Sequence, residues 1–301
     1  MGRGDSRSKY VLLVWIAVVF WGSASPIVRY LNLQGMDSYL VAFLRVFFTF
    51  ACGTIMLFGS GERPRISLIK SNFFPIIGMS ITGVVAFYLF LCLGLQTTEA
   101  GKSTLINAIN PVFILLLARL ILKEPLTKRM LIAMLFAIVG VVLSVVGAAG
   151  FDAKNFSFAS GDFMFVGTAA CFASYVIINR VYGHRLSYMQ TFFWMFCFSV
   201  IMLLPIFMPR LHLLADITRE QWLLLLFMGI FPGTMSFYFW NISVQEIGAG
   251  SCGVINSFLP ISAIAISALW LGESLTVWQL LGAAAVMLSV WQVYKTKTTA
   301  S

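Results

Sequence analysis

The sequence predicts an all-α integral membrane protein, with ten transmembrane helices in two inverted five-helix repeats and both termini cytoplasmic. Three observations predict it. First, the chain of 301 residues is 60% apolar and only 10% charged, with a mean hydropathy of +0.93. A soluble domain carries about 25% charged residues. This chain has too little polar surface to cover a core in water, and lipid is the solvent that suits it. Second, the chain is written twice. The stretch 96–111, continuing to Glu124-Pro-Leu-Thr127, returns as 245–260 and Glu273-Ser-Leu-Thr276. A constant offset of 149 residues, without a gap, lays Gln96 on Gln245, Ala100 on Ala249, Asn107 on Asn256, Pro111 on Pro260 and Glu124 on Glu273. Third, the basic residues are shared unevenly between the two sides of such a bundle.

A spanning helix needs about 20 mostly apolar residues. Ten such runs are present: 10–30, 38–58, 72–95, 103–122, 128–146, 162–182, 187–208, 220–244, 250–271 and 277–294. The first follows Arg3, Arg7 and Lys9 and contains Gly22-Ser-Ala-Ser25, the outline of a cleaved signal peptide. It reads instead as a permanent helix, because Trp21-Gly-Ser-Ala and Arg29 return as Phe172-Ala-Ser-Tyr and Arg180 at an offset of 151. The third and eighth runs share Gly-x-x-x-Phe-Tyr, as Gly83…Phe87-Tyr88 and Gly233…Phe237-Tyr238. The fourth and ninth open with the doubled stretch. The repeats occupy 10–146 and 160–294, and the longest polar connections are 59–71, 147–161 and 209–219.

With the N-terminus in the cytoplasm, fourteen Lys and Arg fall on the cytoplasmic side. Five fall on the other (Arg29, Lys102, Lys154, Arg210 and Arg219), and Arg45 lies inside the membrane. That is the positive-inside distribution. It also explains the net charge of +9 without nucleic acid as a partner. Five helices per repeat is an odd number, so the second repeat enters from the opposite side and the two are inverted. Such a pair can expose one midplane site alternately to each face, which is how a carrier works.

The motifs Phe20-Trp-Gly-Ser23, Phe43-Leu-Arg45, Ala118-Arg-Leu-Ile-Leu-Lys-Glu124-Pro-Leu-Thr127 and Ala268-Leu-Trp-Leu-Gly-Glu273-Ser-Leu-Thr276 resemble those of the drug/metabolite transporter superfamily, EamA type. The resemblance covers about residues 10–294 as two tandem modules. It implies a multi-pass carrier of the inner (plasma) membrane for small metabolites, above all an exporter of amino acids or related compounds. Uptake of a metabolite or cofactor by the same architecture is the alternative. Small multidrug exporters, which the superfamily includes, rely on a first-helix glutamate. The first helix here has none, which favours a neutral or zwitterionic substrate.

All eleven acidic residues fall in loops or near predicted helix ends. Intramembrane charges are costly and are therefore functional suspects, and Arg45 is the clear one. It either attracts a substrate carboxylate, snorkels outward or caps carbonyls of a neighbouring helix. The other cavity candidates are polar or aromatic groups at depth: Trp21, Ser23, Tyr88, Ser174, Tyr175, Tyr238, Trp240 and Asn241. Asn107, Asn110 and Asn256 join them, because a proline frees the carbonyl four residues before it. For Pro111 and Pro260 those carbonyls belong to Asn107 and Asn256. Pro111, Pro260 and Pro232, which lies within Gly229-Ile-Phe-Pro-Gly233, are the expected hinges.

Several features point nowhere. Gly101-Lys-Ser-Thr104 lacks the first glycine of a phosphate-binding loop, which would stand at Gln96. Arg3-Gly-Asp5 lies on a basic tail. His184 and His212 fall on opposite sides, and the five cysteines sit in apolar runs without metal spacing. No metal or cofactor is expected. No predicted span carries a central Asp, Glu or His, which argues against an intramembrane enzyme. A non-transporting scaffold remains as a third class. The expected partners are a small-molecule substrate and the bilayer, with a homodimer left open.

Overall fold

The computed structural model describes residues 3–107, 109–123, 159–182, 187–256, 258–273 and 276–298, together with 128, 131, 132, 135, 136, 138–140, 142 and 143. These residues form helices and short connections, with no strand among them. Seven of the described helices are long and apolar enough to cross a membrane: Ser8–Leu33, Ser38–Gly59, Ile69–Gly94, Leu105–Leu122, Ser160–Tyr182, Tyr188–Asp216 and Arg219–Ser243. Of the other predicted runs, the fifth falls largely outside the described residues, although those described between 128 and 143 are helical. The ninth is represented by the shorter apolar helix Leu259–Leu271 and the tenth by Val277–Thr298.

In chain order, α1 is Arg3–Leu33 and α2 is Ser38–Gly59. The third run is two helices, α3 (Ile66–Ser80) and α4 (Ala86–Gly94), joined by a π-helical turn at Ile81–Val85. The fourth is also two, α5 (Ala100–Asn107) and α6 (Asn110–Leu122). The second half holds α7 (Ser160–Tyr182) and α8 (Tyr188–Phe207, extended by a 3-10 turn at Met208–Asp216). It continues with α9 (Arg219–Met228), a π-helical turn at Gly229–Met235, α10 (Ser236–Asn256), α11 (Leu259–Leu271) and α12 (Val277–Thr298). Helix α10 runs on through 244–250, where the sequence predicts a break. The stretch Gln245-Glu-Ile-Gly-Ala-Gly250 has no proline to stop it, and Ile247 is buried against Val14 and Val18.

Local chemistry places the helix ends. Asp37 caps α2 by accepting from the Leu40 N–H, Ser187 caps α8 through Gln190 N–H, and Thr218 with Gln221 forms a capping box on α9. Helices α6 and α11 both stop on a left-handed residue, Lys123 (φ 56°) and Gly272 (φ 66°). These two positions are 149 residues apart, so the doubling extends to the backbone.

The packing is exchanged between halves. Helix α1 lies along α10 and α11 of the second half, α7 lies along α4 and α6 of the first, and α2 packs on α8. Small residues permit these close approaches, since in lipid the packing itself must hold helices together. A side chain at Gly22 would collide with Ser262 of α11, its Cβ lying 2.0 Å from the hydroxyl oxygen. The buried core is built largely from α1, α2, α4 and α8, with Phe43 stacked on Phe207 at 3.9 Å. Large apolar residues such as Ile55, Phe74, Leu120 and Leu269 point outward, as lipid-facing surfaces require.

Candidate functional site

Two kinds of helix fault lie at equivalent places in the two halves. The first is the pair of π-helical turns, which hold Gly83 in one half and Gly233 in the other. A π-turn leaves carbonyls without their usual partners and is common at functional sites. Pro232, which has no N–H of its own, lies inside the second turn, and its carbonyl accepts a 3.0 Å bond from the Trp21 indole. Thr234 donates to Gly229 O at 2.9 Å and Ser236 to Phe231 O at 3.0 Å. The fault is thus satisfied by side chains, one of them from α1. Gly83 makes room for Tyr175, whose ring would lie 2.6 Å from a Cβ at that position.

The second fault separates α5 from α6 and α10 from α11. The sequence predicts kinked single helices with freed carbonyls at Asn107 and Asn256. Each is instead two helices, and Pro111 and Pro260 sit in the first turn of the second one. There a missing N–H costs nothing. The asparagines differ. Asn107 Oδ1 accepts from the Thr168 hydroxyl of α7, whereas Asn256 Oδ1 is buried without a hydrogen-bond partner among the described residues, as is Asn110 Oδ1.

Around these faults the predicted candidates separate into groups. Trp21 stands with Phe237 and Trp240, ring centroids 5.3 and 5.5 Å away. Tyr88 on α4 is joined to Tyr175 on α7 through the rings of Phe87 and Phe172, and Tyr175 in turn lies within electrostatic reach of Tyr188 on α8. Tyr188 faces the Asn241 side chain. Arg45 is set apart, buried with its guanidinium 4.4 Å from the Tyr88 ring centroid. Ser23, Ser174 and Asn241 donate to carbonyls of their own helices, at Phe20, Ala170 and Phe237. The two hydroxyls are spent on the backbone, and the Asn241 amide keeps a second N–H.

A narrow cleft is lined by Gly53, Met56, Tyr188, Phe192, Thr234 and Tyr238, with a cavity of only about 10 Å³. Drug-sized pockets run from about 300 to 1,000 Å³, so the path is closed in this conformation. The cleft lies toward the face that carries residues 62–65 and 187–190. There Gln190 donates to Arg63 O at 2.9 Å, and Ser187 to Glu62. The opposite face is tied more tightly. Lys102 pairs with the buried Asp162 at 2.8 Å, and Thr98 donates to the same carboxylate at 2.8 Å. Arg29 bonds the carbonyls of Leu95 and Gln96, Arg210 pairs with Asp37, and Glu273 accepts from Ala100 N–H. Loss of water raises the pKa of Glu99 on this face, and the nearby Glu273 charge adds to it, while Arg29 and Lys102 oppose the shift.

Tyr188, Thr168 and Thr49, whose carbonyl accepts from Thr234 at 3.2 Å, are participants that the sequence reasoning missed. Tyr188 stands at the start of a run, where an aromatic reads as an interfacial anchor. Thr168 could have been noticed, because at the offset of 151 its counterpart is Ala17.

The EamA-like transporter family matches residues 8–146 and 159–295. The chain belongs to this family. The fold recurs in a solved crystal structure with a TM-score of 0.66 at 15% identity, over 95% of this chain and 96% of that one. Among relatives, the uncharacterized transporter YyaM of Bacillus subtilis (strain 168) is 26% identical over 78% of this chain and 77% of its own length. The "Probable terminal-alkyne amino-acid exporter" of Streptantibioticus cattleyicolor is 26% identical over 88% and 86%. The uncharacterized inner membrane transporter YicL of Salmonella typhimurium is 23% identical over 95% of each chain. The EamA-like chain described here is a multi-pass inner-membrane protein of a transporter family, not of an enzyme family.

Proposed function

We propose that this EamA-family chain is a secondary carrier that exports small metabolites, amino acids or related compounds, by alternating access through ten helices. The observation that carries this reading is the exchanged packing. The first helix of each half is held by the faulted helices of the other. A shift at one π-turn therefore moves the partner half, and the same device exists at the mirrored place. The conformation described fits one stage of such a cycle, with one face tied by ion pairs and the small cleft directed toward the other. The resemblance to a relative named as an amino-acid exporter supports the substrate class.

Counterflow in proteoliposomes tests it. Vesicles preloaded with an unlabelled amino acid should accumulate the same labelled amino acid transiently, and protein-free vesicles should not. Cells overexpressing the chain should shed amino acids faster when loaded with dipeptides. Accumulation inside intact cells in place of release would reverse the direction. Failure of counterflow across amino acids, nucleosides and drugs would leave a scaffold.

A further inference from the structure

Arg45 lies seven residues into α2, about 10 Å along the helix axis at 1.5 Å per residue. Two of its three sequence-level roles do not match the structure. It is 3% exposed, so it does not snorkel to a surface. Its Nε and Nη1 are buried without a hydrogen-bond partner among the described residues, so these groups cap no described carbonyl. The guanidinium rests on the Tyr88 ring at 4.4 Å. The ion pairs Lys102–Asp162 and Arg210–Asp37 lie at one face and leave Arg45 out. Buried charges are ordinarily paired, and a ring face supplies only part of what a counter-ion does.

Packed side chains link this cation to the cleft. The Tyr88 and Phe87 ring centroids are 5.4 Å apart, and Phe87, Phe172 and Tyr175 follow in succession at 6.0 Å. Tyr188, which borders the cleft, lies within electrostatic reach of Tyr175.

We infer that Arg45 is the carboxylate-recognition residue of the transport site: the substrate brings the anion, and the Tyr88 ring holds the guanidinium between loads. Arginine suits the task because its planar fork meets a carboxylate through two parallel hydrogen bonds. The substrate class is a monocarboxylate with an apolar or aromatic body. Its amino group is dispensable, since ten of the eleven acids lie in loops or near helix ends, and the eleventh, Glu246 within α10, is exposed. This inference rests on the carrier reading and narrows it.

The test uses the full-length purified protein and two matched trios. These are L-phenylalanine, L-phenylalaninamide and 3-phenylpropionate, and L-leucine, L-leucinamide and 4-methylpentanoate. Thermal shift should show stabilisation by the amino acid and the deamino acid of a trio and none by the carboxamide. This arm needs no variant. Arg45→Gln should weaken the stabilising acid by roughly thirtyfold or more, the loss that follows when one partner of a buried charge pair is removed. Arg45→Lys should fall between. A carboxamide that stabilises wild type as well as its acid overturns the inference, as does Arg45→Gln protein that binds the acid as tightly as wild type. Counterflow of labelled phenylalanine or leucine that Arg45→Gln retains in full removes Arg45 from recognition and leaves the carrier reading standing. No counterflow of either amino acid, with no thermal shift by any of the six compounds, overturns the amino-acid reading and this inference with it.

Discussion

The Thr168 hydroxyl donates to Oδ1 of Asn107, tying the end of α5 to α7. At the equivalent place in the other half, α1 carries Ala17, and Asn256 Oδ1 has no hydrogen-bond partner among the described residues. The two halves are therefore alike in backbone and unlike in how their breaks are fastened. Replacing Thr168 by Val should destabilise the protein by about 1–2 kcal/mol, since it leaves an amide oxygen unpaired. The loss should shrink in an Asn107→Leu background. A double-mutant cycle in denaturant should return a coupling of about 0.6–1.7 kcal/mol. A coupling of zero would mean that the bond contributes nothing.

The same contrast bears on the cycle. Asn107→Leu and Asn256→Leu should both reach the membrane at normal levels and transport poorly, but should favour opposite-facing states. Thiol labelling of single cysteines placed at either face, in a protein with its own five cysteines replaced, reads the accessibility directly. Identical labelling in the two variants, with transport intact, would reduce both asparagines to structural patches.

Lys123 and Gly272 end equivalent helices with left-handed backbone, at φ of 56° and 66°. A residue with a Cβ pays about 1 kcal/mol or more there. Gly272→Ala should lower stability by about that amount, and Lys123→Gly should raise it by a similar amount. Thermal unfolding of the two variants against wild type checks both signs.

Glu99 is expected to make stability depend on pH. Its pKa is raised by loss of water and then by the Glu273 charge, against the pull of Arg29 and Lys102. A folded-state pKa above the unfolded one means that folding favours the protonated form. That stabilisation is complete below the unfolded value of about 4.3 and is lost as pH rises through the folded value. Glu99→Gln should therefore melt higher than wild type at neutral pH, and the gap should close as the pH falls toward 4. A gap that widens in acid would give the opposite sign.

Orientation can be read with reporter fusions. Fusions at Arg65, Lys128 and Lys297 should report the cytoplasm, and fusions at Lys154 and Arg210 the outside, from the fourteen-to-five division of Lys and Arg. Lys128 and Lys154 bracket the run that lies largely outside the described residues, so this pair also tests the fifth crossing. The same side for both would remove it.

The doubling was readable because backbone faults need particular residues. Asparagine and proline recur at a fixed offset where α5 and α10 break off and α6 and α11 begin. What touches what was not readable. An offset says that Trp21 and Phe172 are equivalent, but it does not say that Trp21 bonds Pro232 or that Tyr175 lies against Gly83. Such contacts depend on how two faces meet after the chain has crossed the membrane several times. Arg45 was visible as a charge in an apolar run, yet its burial and lack of partners are properties of the packed bundle. Ser23 and Ser174 stood out as polar residues at depth, and a hydroxyl that turns back on its own helix looks the same in sequence as one that faces a cavity.

Exchanged packing also sets an order of events at the ribosome. The indole of Trp21 waits for a carbonyl 211 residues further along. At about 5–20 residues per second, α1 spends roughly 10–40 seconds in the bilayer before its proper neighbours emerge. During that interval the glycine-notched face that will receive Ser262 is open to any other nascent helix. The first helix therefore completes its packing only once the last third of the chain has been made.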